Sequence, residues 1–276
     1  MAKKKAKVIS VMNYKGGVGK TTSTYNLGAA LAFLDYNVLM IDNDSQGSLT
    51  ISAGYELGDA RIHGKNTVNL YYELDNDPME NVITPLEEMP TLHLIPTNKM
   101  LQTADEETRE YNFEQRLRMA VDQISDQYDY ILIDCGPTPG KLTRNALAAC
   151  DSVVIPVRLD FLSYKGLQAM EDDIVRAKKQ GLNRHIYLQG IIGTFYKKVG
   201  KEANTIAEIV AESGNMLGIV NEATEVTKKV VDGKPIVFAN PKSRTAQQYA
   251  DIATMIITNK TVNVPFQEFA ARCDNK

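Results

Sequence analysis

Asn13–Thr22, read NYKGGVGKTT, lies between an apolar run at Val8–Met12 and a helical pattern that begins at Thr21. Strand, glycine-rich turn, Lys-Thr and helix follow in the order of a phosphate-binding loop, whose ordinary form is G-x-x-x-x-G-K-[ST]. Gly19-Lys20-Thr21 supplies the end of that form. Tyr14 stands where its first glycine would be, and the other glycines sit inward at Gly16 and Gly17. Residues without a Cβ let the backbone wrap closely round a polyphosphate. The loop N–H groups and the N-terminus of the following helix then face the anion. On these mechanics Gly16, Gly17, Val18, Gly19, Lys20, Thr21 and Thr22 form a nucleotide-binding stretch. Lys20 neutralises the β- and γ-phosphates, and the Thr21 hydroxyl holds Mg²⁺.

Lys15 is the extra feature. It lies on the outer lip of a loop whose phosphates Lys20 already serves, and a plain surface cation is one reading of it. The pattern [KR]-G-G-x-G-K-[ST], present as Lys15-Gly16-Gly17-Val18-Gly19-Lys20-Thr21, resembles the deviant Walker A of the ParA/MinD family of dimerising ATPases. The resemblance implies that Lys15 crosses to the nucleotide of a facing subunit. Lys15 and Lys20 then both join the catalytic set, and the chain is a homodimer when ATP-bound.

The 276 residues suit one large α/β domain or two small ones, and 43% apolar content fills a sizeable core. The net charge of −3 means that nucleic-acid contact needs a local basic patch. Cys135, Cys150 and Cys273 are too few and scattered for a disulfide framework or a zinc site; the first two read as small core residues. The lysines at 3, 4, 5 and 7 lead into the first strand without an apolar signal region, and no run approaches a membrane span of about 18 apolar residues. A cytoplasmic protein is expected.

Further apolar runs read as strands at Asn37–Ile41, Leu92–Pro96, Tyr130–Ile133, Ser152–Val157, Ile186–Gly193 and Leu217–Val220. Helical spacing covers Thr21–Leu34, Phe113–Ile124, Leu142–Ala149, Leu167–Gln180, Ala203–Glu212, Ala223–Val231 and Thr245–Ile257. Residues 52–90 are the least readable part. The alternation predicts an α/β fold, a mostly parallel twisted sheet with helices on both faces. The expected layout is a single domain over residues 1–276, with ligands at the carboxyl ends of the strands.

Asp134 follows the apolar strand Tyr130–Ile133 as in a Walker B, so a place in the Mg²⁺ shell is expected; a turn cap is the alternative. Asp42 and Asp44 end another buried strand, where carboxylates are expensive without a cation or hydrogen bonds. The family's turn here is Asp-x-Asp-Pro-Gln-Gly, and this chain reads Asp42-Asn43-Asp44-Ser45-Gln46-Gly47. By resemblance Asp44 orients the attacking water and Asp42 supports the Mg²⁺ shell; the alternative for Asp42 is a turn-forming role.

Further matches are Asp134-Cys135-Gly136-Pro137, Val154-Ile155-Pro156-Val157, Gly233-Lys234-Pro235-Ile236, Pro241-Lys242-Ser243-Arg244 and Tyr249. The loops near Thr194–Tyr196 and Phe238–Pro241 are where the family frames adenine. Only seven residues precede the expected first strand, so no N-terminal helix-turn-helix domain is expected. The tail Val262–Lys276 lacks a cationic amphipathic face, so no membrane docking is expected. Size and layout resemble the short, Soj-like ParA class. That likeness implies non-specific DNA binding by the ATP dimer, nucleoid association, and stimulation by a ParB-like centromere-binding protein.

For DNA contact the candidates are Lys228 and Lys229 first, then Lys197 and Lys198, with Lys201, Lys234, Lys242 and Arg244 behind them. Glu225 stands where Soj-like relatives place an arginine. A solvated lysine face is the alternative. Two other functions share the loop: a positioning ATPase for a different cargo, and a metabolic ligase or kinase with an organic-substrate pocket.

Overall fold

The computed structural model describes residues 5–62, 64–72, 79–102, 113–196, 201–222 and 233–262. Lys197, Lys198, Lys228 and Lys229, the predicted helix Ala223–Val231 and nearly all of the tail lie outside these residues.

Among the described residues eight strands form one sheet: β1 Lys7–Val11, β2 Val38–Asn43, β3 Thr84–Leu86, β4 Met89–Ile95, β5 Tyr130–Cys135, β6 Ser152–Arg158, β7 Tyr187–Tyr196 and β8 Met216–Asn221. Their order across the sheet is β3-β4-β2-β5-β1-β6-β7-β8. Every neighbouring pair is parallel except β3–β4, an antiparallel edge. Parallel strands covered on both faces are apolar throughout, which is why they stand out in the sequence.

The core has two layers, divided by the alternation of side chains along each strand. Ile131, Ile133, Val153 and Ile155 face one layer. It is closed by α4 Arg116–Ile124, α5 Lys141–Ala149, α6 Phe161–Lys179 and α7 Lys201–Glu212. Leu132, Val154, Val38 and Met40 face the other. There α1 Lys20–Phe33 and α9 Arg244–Thr258 pack beside the short α8 Ile236–Ala239. The short helices α2 Ser48–Ser52 and α3 Thr67–Tyr72 occupy the poorly patterned segment after β2.

Three expectations are refined. The helix expected to begin at Leu167 begins at Phe161, capped by Asp160, whose side chain accepts the Ser163 N–H. The helix expected from Phe113 opens with a 3₁₀ turn, Phe113–Gln115. The strand expected at Leu92 is longer and carries the antiparallel partner β3, whose Pro85 suits an edge strand.

Chain order places β1 in the middle, with β5 on one side and β6 on the other. Such a reversal of strand order opens a crevice at the carboxyl ends, and ligands gather there. The segments leaving β1, β2, β5 and β6 at that edge carry the candidate residues.

Candidate functional site

The loop after β1 has the backbone that its glycines permit. Gly17 has φ +71° and Gly19 +84°, left-handed values that disfavour any residue with a Cβ. Gly19 caps α1, so the first N–H groups of that helix open toward the cradle. The lip is anchored by Asn13, which accepts the Lys15 N–H (2.9 Å) and donates to the Pro156 carbonyl on β6 (2.8 Å). Val18 is buried, and its carbonyl accepts the Thr194 hydroxyl (2.9 Å). Thr22 accepts Asn26 on its carbonyl (2.9 Å), within α1.

Lys20 is 7% exposed, and its ammonium donates to the Lys15 carbonyl across the loop (3.2 Å). Burial lowers its pKa, while the charges of Asp134 and Asp44 pull the other way. An ammonium held in so little water, over a ring of N–H donors, is poised for an anion of several charges.

Asp42 and Asp134 lie at matching positions on the neighbouring strands β2 and β5. Both are fully buried, and burial raises both carboxyls well above the usual range; the charge of Asp42 adds to this at Asp134, and that of Asp44 at Asp42. Neither carboxylate lacks donors. Asp42 accepts the Thr50 N–H (2.8 Å) and hydroxyl (2.6 Å), and the Asp44 N–H (3.3 Å). Asp134 accepts the Thr21 hydroxyl (2.7 Å) and the Thr24 hydroxyl (3.1 Å). Asp44 is less buried. It accepts the Gln46 N–H (3.0 Å), and a Cβ on Gly136 would lie 3.2 Å from its carboxyl carbon. Asp44 thus reaches across the strand ends to the segment after β5.

This donor set suits Mg²⁺: hard oxygens, a Thr hydroxyl next to the phosphate cradle, and a second carboxylate opposite. Among the described residues, no group of three or more His, Cys, Asp or Glu side chains forms a metal cage. Mg²⁺ commonly keeps several waters and leans on substrate phosphates, so one hydroxyl and one or two carboxylates suffice.

Lys15 goes elsewhere. Its ammonium pairs with Asp160 (3.0 Å) and donates to the Ser163 hydroxyl (2.9 Å), both at the start of α6. Partial burial alone would raise the Asp160 carboxyl, but the Lys15 and Ser163 donors outweigh it and the net shift is downward. The other Asp160 oxygen faces Arg158 at 3.5 Å, and that guanidinium lies over the Phe195 ring. The residues that meet Lys15 were missed in the sequence. Asp160 followed three residues later by Ser163 was the available signal, a helix N-cap.

Of the outer candidates, Lys234 pairs with Glu88 (2.7 Å). The segment it belongs to is tied to α1, where Tyr25 donates to the Gly233 carbonyl (2.8 Å) and Asn26 accepts the Ile236 N–H (2.8 Å). Phe195 borders the loop, 3.4 Å from where a Cβ on Gly19 would be. Cys135 and Cys150 are buried free thiols. Among the described residues no helix is long and apolar enough to cross a membrane.

Residues 6–188 match the AAA domain family AAA_31. The sporulation initiation inhibitor protein Soj of Bacillus subtilis is 32% identical over 261 residues, 92% of this chain and 99% of Soj. The chromosome partitioning protein ParA of Myxococcus xanthus is 33% identical over 270 residues, 96% of this chain and 92% of that protein. Among solved structures, cobyrinic acid a,c-diamide synthase of Mycobacterium smegmatis with a bound ATP analog and magnesium superposes with a TM-score of 0.79 at 23% identity, covering 94% of this chain and all of that one. A putative plasmid partition protein of Borrelia burgdorferi bound to AMPPNP gives 0.77 at 24%, covering 92% and 99%. At those identities the two structures speak to the fold. Together with the near full-length relatives and the loop geometry, they lead to one conclusion: the chain belongs to the ParA/MinD-like family of P-loop ATPases.

Proposed function

We propose that the chain is a Mg²⁺-dependent ATPase that switches between a monomer and an ATP-bound homodimer. As the dimer it holds DNA without sequence preference, as a partition protein for a plasmid or chromosome. The observation that carries this reading is Lys15: its ammonium sits on a surface carboxylate, outside the cradle that Lys20 fills. A second cation so placed has little to do for its own nucleotide and is free to meet another. The near full-length likeness to Soj and to ParA proteins supports the partition role.

In this reading Gly16–Thr22 binds the triphosphate through backbone N–H groups and Lys20. Thr21, Asp134 and Asp42 would hold Mg²⁺, which would supply positive charge to the phosphates. Asp44 orients the attacking water, and positioning is the main contribution because the phosphoryl group passes through a loose transition state. Lys15 leaves Asp160 for the partner's nucleotide. A ParB-like protein stimulates hydrolysis and resets the switch, and the ATP dimer associates with the nucleoid.

Asp44→Ala tests the catalytic part: it should form an ATP dimer that does not turn over. Hydrolysis at the parental rate would remove Asp44 from its role. DNA binding is tested by co-sedimentation with ATP, with ADP and without nucleotide at two salt concentrations. Retention should require ATP and weaken steeply with salt.

One observation favours a metabolic ligase instead. A cavity of about 320 Å³ at the carboxyl end of β4 is lined by Asn66, Thr97, Asn98, Tyr72 and Met100, within the range of small-ligand pockets. That function predicts turnover as a monomer with an added organic substrate, read by phosphate release at concentrations where the chain sediments as a monomer.

A further inference from the structure

The outer lip of the loop is fastened to α6 by a residue that ordinary phosphate loops lack. Tyr14, in the place of the first glycine, donates its hydroxyl to Asp173 Oδ2. The other oxygen of Asp173 takes Arg176 at 2.6 Å, so both are engaged. The Tyr14 ring packs against the core layer under α5 and α6, and burial together with the Asp173 bond pushes its phenol pKa up. The helix comes close enough for this because residue 166 is glycine. A Cβ there would lie 3.3 Å from Asn13 Oδ1 and 3.8 Å from the Lys15 Cβ.

Beyond Lys15 the loop is held through its carbonyls, Lys15 by the Lys20 ammonium and Val18 by the Thr194 hydroxyl, and the two glycines between them offer no side chain. Gly16 and Gly17 are exposed, and a Cβ on either would meet nothing within 4 Å. Two side chains thus fix the backbone at Lys15: Asn13, which accepts its N–H and ties the lip to β6, and Tyr14, which ties it to α6.

We propose that Tyr14 is a positioning residue: its hydroxyl, held by Asp173, sets the backbone from which the Lys15 ammonium reaches the nucleotide of a second copy. This rests on the reading of Lys15 given above. A long flexible side chain samples a wide volume, and where its Cα sits decides how often its tip arrives. Small displacements of a group away from the chemistry weigh heavily on rate. Tyr14 touches neither nucleotide in this scheme, so its effect falls on dimerisation and turnover and not on the affinity of the single chain for ATP.

The test compares the parental chain, Tyr14→Phe, Asp173→Leu, their double variant and Asp173→Asn, which still accepts the tyrosine hydroxyl. Affinity for a fluorescent ATP analog is measured at protein concentrations that keep the chain monomeric. ATP-dependent dimerisation follows by sedimentation, and kcat and KM by phosphate release. Tyr14→Phe and Asp173→Leu should each weaken dimerisation and kcat by about tenfold, with KM and monomer affinity within about twofold, a split expected for a contact that acts only in the assembled state. The double variant should be no worse than either single one, as for two ends of one bond, and Asp173→Asn should keep the parental values.

A Tyr14→Phe protein that dimerises and turns over like its parent overturns the proposal. So does one whose ATP affinity falls in step with dimerisation, because that marks general damage to the loop. A parental chain that stays monomeric with ATP overturns the crossing role of Lys15, and this inference with it. Parental dimerisation beside an unaffected Tyr14→Phe overturns this inference alone.

Discussion

Lys15 and Lys20 bracket the same loop and are housed in opposite ways. Lys20 is 7% exposed, folded back on the loop's own carbonyl, with Asp134 and Asp44 supplying the opposing charge. The Lys15 side chain is 33% exposed and its partner Asp160 31%. A pair so open to water is worth about 0–1 kcal/mol. Asp160 has partners besides Lys15, the Arg158 guanidinium and its capping bond to Ser163. The inner lysine is thus enclosed by its own loop, and the outer one rests on a water-screened contact. On the proposed function, the inner lysine serves the chain's own phosphates and the outer one is exchanged when a second copy arrives.

The largest effect expected from this contrast is at the inner lysine. Lys20→Ala should weaken ATP binding by about a hundredfold or more, corresponding to about 2.7 kcal/mol at 25 °C, read by calorimetric titration. A loss below about threefold would mean that Lys20 is not the principal phosphate cation.

The buried acids sharpen the comparison through pH. Asp42 and Asp134 have carboxyl pKa values raised by burial first and then by neighbouring acids, Asp44 at Asp42 and Asp42 at Asp134. Between the unfolded and the raised folded values, the native chain holds protons that the unfolded chain has lost. Stability is then fully present at low pH and declines as pH rises through the folded values. The thermal midpoint of the nucleotide-free protein should fall between about pH 5 and about pH 8. Asp134→Asn should flatten the fall, and Mg²⁺ with ATP should offset it. A midpoint rising over that window would contradict the burial account.

The smallest effect is at the outer pair. Asp160→Ala removes the Lys15 ion pair, whose loss alone should cost less than about 1 kcal/mol of folding stability in urea because the pair is solvent-screened. It also removes a helix cap, which by itself is worth about 0.5–2 kcal/mol. Asp160→Ser, which preserves the cap and drops the charge, isolates the ion pair. A loss of several kcal/mol in that variant would show the outer lysine to be as firmly built in as the inner one.

The same contrast decides what could be read in the sequence. The parallel strands stood out as apolar runs, and the cradle was visible because Gly17 and Gly19 must take left-handed values. Asp42 and Asp134 were legible as acids closing buried strands, and the sheet brings them opposite each other. Their hydroxyl partners Thr50 and Thr24 were not, since nothing local ties them to a carboxylate on another element. The Lys15–Asp160 pair was hidden for a different reason. Phe161 and Leu162 are exposed apolar residues, 53% and 68% accessible, so the start of α6 breaks helical periodicity. The β3–β4 hairpin was obscured by its short edge strand with a proline in the middle. Tyr14 was noticed as a missing glycine, but its bond to Asp173 joins positions distant in the chain.

The most direct test is sedimentation velocity of Lys15→Ala beside the parental chain, with ATP and Mg²⁺, ADP and Mg²⁺, or no nucleotide, with ATP affinity measured in parallel. The account predicts a parental dimer in ATP alone, and a variant that binds ATP within about threefold of its parent yet sediments as a monomer throughout. A Lys15→Ala protein that dimerises with ATP as its parent does would show that the outer lysine never leaves Asp160 for a second nucleotide.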